Sequence, residues 1–155
     1  MTFPSDGVYT IRNVGRNLML DLKSDSTAEG NQIQGFTNNG TVAQQWVIKK
    51  QSEPGSVNKT VSIQSNNCGN NGNGCFATAK HDSDEPVVYT RQAFIVDLVA
   101  SKDNAFTISF TLGNSNLVLS LPSASNHAVK LENHVKGTGH QHWEFTRVSN
   151  LQPIS

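Results

Sequence analysis

Three short segments with one pattern decide the fold of this chain: Gln44–Trp46 (QQW), Gln92–Phe94 (QAF) and Gln141–Trp143 (QHW). Each segment has a glutamine, a variable residue and an aromatic residue, and the glutamines at positions 44, 92 and 141 are 48 and 49 residues apart. Self-similarity at a fixed period of this length is typical of repeat architectures, in which each repeat is one supersecondary unit. The sequence therefore predicts three repeats, at approximately 7–50, 51–100 and 101–148.

Short apolar runs bounded by turn residues fill the rest of the chain, and such runs are typical of β-strands. The first and third repeats match each other, because Tyr9–Ile11 corresponds to Phe106–Ile108 and Leu18–Leu22 corresponds to Leu117–Leu121. The segment Arg91–Lys102 fits either a short helix or a strand, and its β-branched content favours a strand. The other predicted strands are Gln32–Phe36, Trp46–Ile48, Val61–Ile63, Cys75–Ala79, Val87–Thr90 and Trp143–Phe145.

The repeats together predict a closed fold. One four-stranded repeat cannot cover its own apolar face, whereas three repeats around a pseudo-threefold axis can share a single core. Twelve strands in three repeats predict an all-β protein, a β-trefoil made as one domain from residues 1–155. We expect Trp46, Phe94 and Trp143 to lie in that core, and the glutamine of each segment to hydrogen-bond backbone groups of the adjoining loop.

Charge and hydropathy argue against several functional classes. The chain has 12 basic and 12 acidic residues, so its attraction to nucleic acid or to an anionic membrane is weak. No apolar run approaches the about 18 residues that cross a membrane, and the N-terminal residues lack the features of a signal peptide. We therefore expect a cytoplasmic protein without a nucleic-acid partner or membrane insertion. Cys68 and Cys75 flank a Gly/Asn-rich loop across which the thiols can meet, but in the cytosol they are expected to be reduced.

The three Gln-x-aromatic segments at this spacing resemble those of the ricin B-like lectins, and the chain is similar to the fungal fruiting-body members of that family. The resemblance covers residues 7–148. It implies shallow sugar sites, in which a carboxylate accepts hydrogen bonds from vicinal hydroxyls, an aromatic ring covers the apolar face of a galactose-type ring, and amides complete the bonding. It also implies a role in defence, without a cofactor.

On this resemblance the first repeat carries a complete site. Asp21 stands where the family has its carboxylate, and Phe36 is turned outward by alternation because Ile33 takes the inward position. The family commonly has asparagine directly before its Gln-x-Trp, where this chain has Ala43, so a loop asparagine is expected to supply that amide. The predicted carbohydrate-binding residues are Asp21, Lys23, Gln34, Gly35, Phe36, Asn38, Asn39 and Gln44.

The second and third repeats are expected to lack a site. At the position of the first repeat's carboxylate they have Ala79 and Ser120, which do not ionise, and at the position of the aromatic ring they have Thr90 and Glu132. We therefore expect one site per chain, for terminal galactose or N-acetylgalactosamine on glycoproteins or glycolipids. A single shallow site binds weakly, so a homodimer is expected to supply avidity.

Other functions find less support in the sequence. The Gly/Asn-rich loop Asn66–Gly74 suits protein recognition, so a β-trefoil protease inhibitor, or another protein-binding module, is the alternative. His134, His140 and His142 have a spacing that matches no familiar metal-ligand pattern, and solvated loop histidines are expected instead. Neither the carboxylate pair of a glycosidase nor a Ser/His/Asp or Cys/His arrangement can be singled out, so we expect no enzymatic activity.

Overall fold

The computed structural model describes residues 4–26, 28, 30–50, 60–66, 76–79, 87–90, 95–101, 105–112, 115–122, 128–135 and 138–149. Twelve strands lie in this part of the chain: β1 (Gly7–Asn13), β2 (Leu18–Leu22), β3 (Ile33–Phe36), β4 (Trp46–Lys50), β5 (Thr60–Ser65), β6 (Phe76–Ala79), β7 (Val87–Thr90), β8 (Ile95–Ala100), β9 (Ala105–Leu112), β10 (Ser115–Ser120), β11 (Lys130–Asn133) and β12 (Trp143–Ser149). Short 3₁₀ turns cover Lys23–Asp25, Val42–Gln44 and Gly139–Gln141. None of the described elements is a helix with the length and hydropathy to cross a membrane.

Six of these strands close into a ring. β1 pairs with β12 and β4, β5 pairs with β4 and β8, and β9 pairs with β8 and β12, all antiparallel. The other six strands form three hairpins, β2–β3, β6–β7 and β10–β11. Backbone hydrogen bonds join the hairpins, since Val129 N–H donates to Ile33 O at 3.0 Å and Val87 N–H donates to Val129 O at 2.8 Å. A closed ring with three linked hairpins is a β-trefoil, as the repeats predict.

The pairing register repeats between the first and third units. Tyr9 pairs with Trp46 on one side of the ring, and Phe106 pairs with Trp143 at the corresponding place. This register confirms the predicted match between Tyr9–Ile11 and Phe106–Ile108, because the first residue of each segment pairs with the tryptophan of its own repeat. Closure of the ring also removes exposed sheet edges, which otherwise invite pairing with other chains.

The two tryptophans are anchored in the core by the same hydrogen bond. Both side chains are fully buried. Trp46 Nε1–H donates to Leu20 O at 2.9 Å, and Trp143 Nε1–H donates to Leu119 O at 3.1 Å. The predicted core position of these two residues is confirmed, and each indole ties the ring of strands to the hairpin of its own repeat. Phe94 lies outside the described residues, as do Cys68, Cys75 and residues 67–74 of the Gly/Asn-rich loop.

The middle repeat corrects one predicted correspondence. Val88 forms an isolated β-bridge with Gln32, next to the first-repeat hairpin, and Gln34 forms the corresponding bridge with Ala128, next to the third-repeat hairpin. Val88 and Gln34 therefore occupy equivalent positions in their repeats. Val88 pairs with Thr78, whereas Gln34 pairs with Asp21. The residue that corresponds to Asp21 is therefore Thr78, and the prediction of Ala79 is wrong by one position. The prediction of a strand within Arg91–Lys102 is confirmed by β8.

Candidate functional site

The two faces of the β2–β3 hairpin have different roles, because side chains alternate along a strand. The inner face carries Leu20, Leu22 and Ile33, which are fully buried. Gly35 lies opposite Leu20 on this same face. A Cβ atom on Gly35 would lie too close to Cδ2 of Leu121, so a larger residue here would displace the Leu121 side chain that packs against this strand. Gly35 is thus a packing residue that faces away from the other predicted site residues.

The outer face of this hairpin holds the predicted carboxylate and aromatic ring. Asp21 and Gln34 are direct cross-strand partners, and Gln34 Nε2–H donates to Asp21 Oδ1 at 3.1 Å. Phe36 follows two positions later on the same face, so it is diagonal to Asp21, a relationship that separates Cα atoms by about 7–8 Å. Its side chain is 43% exposed. The predicted outward orientation of Phe36 is confirmed, and the ring and the carboxylate lie on the same face of the hairpin.

Gln44 connects this carboxylate to the loop that follows β3. It ends the 3₁₀ turn Val42–Gln44 and is fully buried. Its Nε2 donates to Asp21 Oδ2 at 3.0 Å and to Thr37 O at 2.9 Å, while its Oε1 accepts the N–H of Asn39 at 3.1 Å. The prediction that this glutamine hydrogen-bonds the adjoining loop is confirmed. Gln44 is therefore a positioning residue, which orients Asp21 and the loop together.

Asn38 and Asn39 shape that loop. Asn38 Oδ1 accepts the N–H of Gly40 at 3.3 Å, and Asn39 Oδ1 accepts from the N–H and Oγ1–H of Thr41 at 3.1 and 2.7 Å. Such side-chain bonds to backbone two residues on stabilise turns. Within the described part of the chain, neither side chain bonds to Asp21, and the Nδ2 donors of both have no partner. Both residues are exposed, which leaves these donors accessible to a ligand.

Lys23 and Ala43 lie at the edges of the predicted site. Lys23 is exposed in the 3₁₀ turn after β2, and its backbone N–H donates to Gln32 O at 3.1 Å. Among the described residues, no hydrogen bond or ion pair joins its ammonium group to Asp21. Ala43 is buried against the core. The structure therefore assembles Asp21, Gln34, Phe36 and Gln44, surrounds them with Asn38 and Asn39, and leaves Lys23 at the rim.

Asp21 is a largely buried carboxylate, with 4% of the residue exposed. Burial raises its pKa, the hydrogen bonds from Gln34 and Gln44 oppose that rise, and the negative charge of Asp25 adds to it. From the described residues, each carboxylate oxygen accepts one hydrogen bond, which leaves it a further lone pair for a ligand. The ionised group can therefore accept hydrogen bonds from a ligand that presents hydroxyl donors to it.

The third repeat also holds a carboxylate at the corresponding place, but a different strand supplies it. Ser120 of β10 corresponds to Asp21, and Glu132 of β11 corresponds to Phe36. Ser120 Oγ–H donates to Glu132 Oε1 at 2.5 Å, so the glutamate reaches across to the serine. The inference that the third repeat offers no ionised acceptor is wrong, because it considered only the residue on β10.

Two further donors hold this glutamate. His140 Nε2 lies 3.1 Å from Glu132 Oε1, and Gln141 Nε2–H donates to the same oxygen at 3.3 Å. Gln141 also donates to Asn133 O at 3.0 Å and accepts the N–H of Val135 at 2.9 Å, which repeats the bonding of the first repeat's glutamine. Partial burial raises the pKa of Glu132, but these hydrogen bonds, the one from Ser120 and the charge of His140 together lower it below its usual value.

The histidines of the last repeat have distinct surroundings. His140 pairs with Glu132, which corrects the expectation of a solvated loop residue. Burial lowers the pKa of His142, and the charge of His134 lowers it further. In the part of the chain that the structure describes, no group of three or more His, Cys, Asp or Glu side chains is arranged to hold a metal ion.

The fold and the polar cluster on its first hairpin define a β-trefoil of the lectin type. A family model described as ricin-type β-trefoil lectin domain-like matches residues 2–82, about half of the sequence. The chain belongs to this family of ricin B-like lectins. Membership in it supports carbohydrate binding.

Solved structures agree with this assignment. The Rhizoctonia solani agglutinin has 26% sequence identity and a TM-score of 0.78, over 96% of this chain and 99% of that chain. The Macrolepiota procera ricin B-like lectin, solved with lactose, has 21% identity and a TM-score of 0.72, over 96% and 100%. The designed threefold-symmetric protein ThreeFoil shares the fold at 17% identity and a TM-score of 0.72, over 92% and 100%. No curated protein sequence matches the chain significantly.

Proposed function

We propose that this protein is a lectin that binds terminal galactose or N-acetylgalactosamine on glycans through the first-repeat site. The observation that supports the proposal most strongly is the arrangement of Asp21. Two amide donors, from Gln34 and Gln44, fix its carboxylate beside the 43%-exposed ring of Phe36. The likeness to the Macrolepiota procera ricin B-like lectin, which was solved with lactose, supports the same ligand class.

The chemistry of the site fits a neutral, hydroxyl-rich ring. A carboxylate only accepts hydrogen bonds, so two vicinal hydroxyls of the sugar would serve Asp21 as donors. The axial hydroxyl of galactose leaves one face of the ring mostly C–H, and Phe36 offers an aromatic surface to such a face. The exposed amides of Asn38 and Asn39 would donate to the remaining sugar oxygens, while Gln34 and Gln44 hold the carboxylate in position.

We also propose how the protein acts in its biological setting. Monovalent binding at one shallow site is weak, so agglutination of cells would use avidity from a homodimer. The protein would be made in the cytoplasm and would act in defence, on external glycans after release or ingestion. It would not turn over its ligand, and an aryl galactoside assay is expected to show no product. Light scattering of the purified protein tests the dimer directly.

A glycan array tests the proposed specificity. Wild type would be compared with Asp21→Asn, which keeps the size of the side chain but removes its charge, after circular dichroism has verified the fold. Asp25→Asn is the matched control, because it removes a nearby charge from an exposed turn residue whose positive φ of 54° asparagine tolerates. We expect wild type and Asp25→Asn to bind galactose- or N-acetylgalactosamine-terminated glycans and Asp21→Asn to lose them. Equal binding by all three proteins would overturn the proposed site.

A further inference from the structure

We propose that the third repeat carries a second binding site, in which the carboxylate of Glu132 accepts hydrogen bonds from the hydroxyls of a saccharide. A single chain would then hold two glycans at once. The inference rests on the proposed function for its class of ligand, but its residues are separate from those of the first repeat. The carboxylate comes from β11 instead of β10, so the position of Asp21 alone does not reveal it.

The first reason is that the scaffold around this carboxylate repeats that of the first site. Gln141 ends a 3₁₀ turn and is 1% exposed. It donates to Glu132 and to the carbonyl of Asn133, and it accepts the N–H of Val135. Each of these three bonds has a counterpart around Gln44. The glutamine that orients Asp21 in the first repeat therefore has an equivalent in the third repeat, where Gln141 makes the same set of bonds and orients Glu132.

The second reason is that the substitutions on the two strands compensate for each other. Ser120 is shorter than the Asp21 to which it corresponds, and its hydroxyl donates to Glu132. Glu132 stands in place of Phe36, and its long side chain reaches across to Ser120 and Gln141. The third repeat therefore lacks the carboxylate on β10 but has one on the neighbouring strand β11. This carboxylate lies beside Gln141, the glutamine that corresponds to Gln44.

The third reason is accessibility. The Glu132 side chain is 29% exposed, so solvent and ligands reach it. Ser120, His140 and Gln141 all meet Oε1, and Oε2 accepts no hydrogen bond from the described residues. An ionised oxygen without a partner is a strong acceptor for hydroxyl donors. The bonds to Oε1 fix the carboxylate, while Oε2 stays available to a ligand.

His140 gives the site a rigid edge. Its carbonyl accepts the N–H of Leu121 at 3.0 Å and Nδ2–H of Asn13 at 2.9 Å, so its backbone is held from two sides. Its side chain is 26% exposed and directs Nε2 towards Glu132. Donors that are already in place do not have to be ordered when a ligand binds.

The two sites should differ in selectivity. The third repeat has no aromatic residue at the position of Phe36, and the apolar surface near its loop is the 55%-exposed side chain of Val135. Stacking on a ring therefore contributes less there, and recognition depends more on hydroxyl donors. We expect the Glu132 site to bind galactosides more weakly than the first-repeat site and to discriminate less among sugars.

Two backbone amides allow each site to be read separately by ¹H–¹⁵N NMR. The N–H of Asn39 donates to Gln44, and the N–H of Val135 donates to Gln141, so each amide senses its own carboxylate cluster through one glutamine. Titration of wild type with methyl β-galactoside is expected to shift both amide signals, with two different dissociation constants. Glucose, titrated in parallel, is expected to shift the Val135 amide alone.

Variants assign these responses. Glu132→Gln is expected to raise the dissociation constant read at the Val135 amide by at least about tenfold, because it replaces a charged acceptor by a neutral one. The dissociation constant read at the Asn39 amide is expected to stay unchanged. Asp21→Asn is expected to do the reverse. Glu144→Gln is the control, because it neutralises a partly exposed carboxylate that pairs with Arg12 instead.

The outcomes separate the two proposals. A response at Asn39 alone, in wild type, overturns the second site and leaves the proposed function standing. A response at Val135 alone, abolished by Glu132→Gln, supports the second site and overturns the first. No response to galactoside, N-acetylgalactosaminide or glucose at either amide overturns both. A wild-type response at Val135 that survives Glu132→Gln also contradicts the role of this carboxylate.

Discussion

The side-chain amide of Gln44 lies 3.0 Å from Oδ2 of Asp21, across 23 residues of sequence. This bond links the glutamine that marks the repeat to the carboxylate of the proposed sugar site. Gln44 also binds the loop through Thr37 O and Asn39 N–H. The Gln-x-aromatic segment therefore does two things: its aromatic residue builds the core, and its glutamine positions the Asp21 carboxylate and the loop outside that core.

Replacement of Gln44 by alanine should weaken both stability and galactoside binding. It removes three hydrogen bonds and leaves part-buried groups of Thr37 and Asn39 without their partner, at a cost of about 1–3 kcal/mol of unfolding free energy. Urea denaturation and calorimetric titration measure the two effects. Gln45→Ala is the control, because Gln45 accepts a single side-chain bond from Asn66. Full galactoside affinity in folded Gln44→Ala would contradict the positioning role.

Replacement of Phe36 by alanine should weaken binding with little change in stability. The ring is 43% exposed, so its truncation leaves no cavity in the core. Loss of stacking on a sugar is expected to reduce affinity about tenfold, which corresponds to about 1.4 kcal/mol. Val42→Ala changes an equally exposed apolar side chain in the 3₁₀ turn that follows β3 and should bind normally. Unaltered affinity of Phe36→Ala, measured by titration, would show that the ring does not contact the ligand.

Asp21 should lower stability as it ionises. Its pKa is raised by burial, so the folded state retains the proton to a higher pH than the unfolded chain, whose value is near 3.8. Stability from this group is therefore lost as pH rises from below 3.8 through the folded pKa. Asp21→Asn lacks this titration, and its unfolding free energy should improve relative to wild type between pH 3 and pH 7, by chemical denaturation. A relative decline of the variant over that range would contradict the raised pKa.

Glu132 should show the opposite dependence. Its pKa is lowered from 4.5 in the folded protein, so it contributes stability above that value that is lost as pH falls through the folded pKa. Glu132→Gln should be less stable than wild type at pH 7, and the difference should shrink in acid. Parallel denaturation series with the Asp21 variant provide an internal comparison. A difference that grows on acidification would contradict the hydrogen bonds assigned to this carboxylate.

Replacement of Trp46 by phenylalanine should destabilise the fold without a direct effect on the ligand. The substitution removes the bond from Nε1–H to Leu20 O and leaves space in a fully buried site. The expected loss is about 2–4 kcal/mol of unfolding free energy. Trp143→Phe removes the equivalent bond to Leu119 O and should cost a similar amount. A loss below about 0.5 kcal/mol for either variant, by urea denaturation, would contradict this anchoring role.

Much of this architecture follows from patterns that core burial imposes. Period-two alternation and the repeated Gln-x-aromatic segment predict the strands, the trefoil and the buried positions of Trp46 and Trp143. Alternation also contains a signal for Gly35 that the site prediction overlooked. Because Gln34 and Phe36 both face outward, the residue between them must face inward.

The features that sequence did not predict depend on contacts between strands. Glu132 reaches Ser120 because β11 lies beside β10, and the sequence pattern does not predict its strand, Lys130–Asn133. The correspondence of Thr78 with Asp21 depends on a register set by the bridge to the first hairpin. A one-residue change in register moves a side chain to the other face, so a comparison of repeats along the sequence misassigns such positions.

A crystal structure of the protein with bound lactose would show whether Asp21 and Phe36 form the sugar site. We expect galactose at the first hairpin, with two vicinal hydroxyls within hydrogen-bond distance of the Asp21 carboxylate and the apolar face of the sugar ring over Phe36. Oδ1 and Oδ2 should keep their bonds to Gln34 and Gln44. Lactose bound elsewhere, with Asp21 still enclosed and Phe36 without a partner, would contradict it.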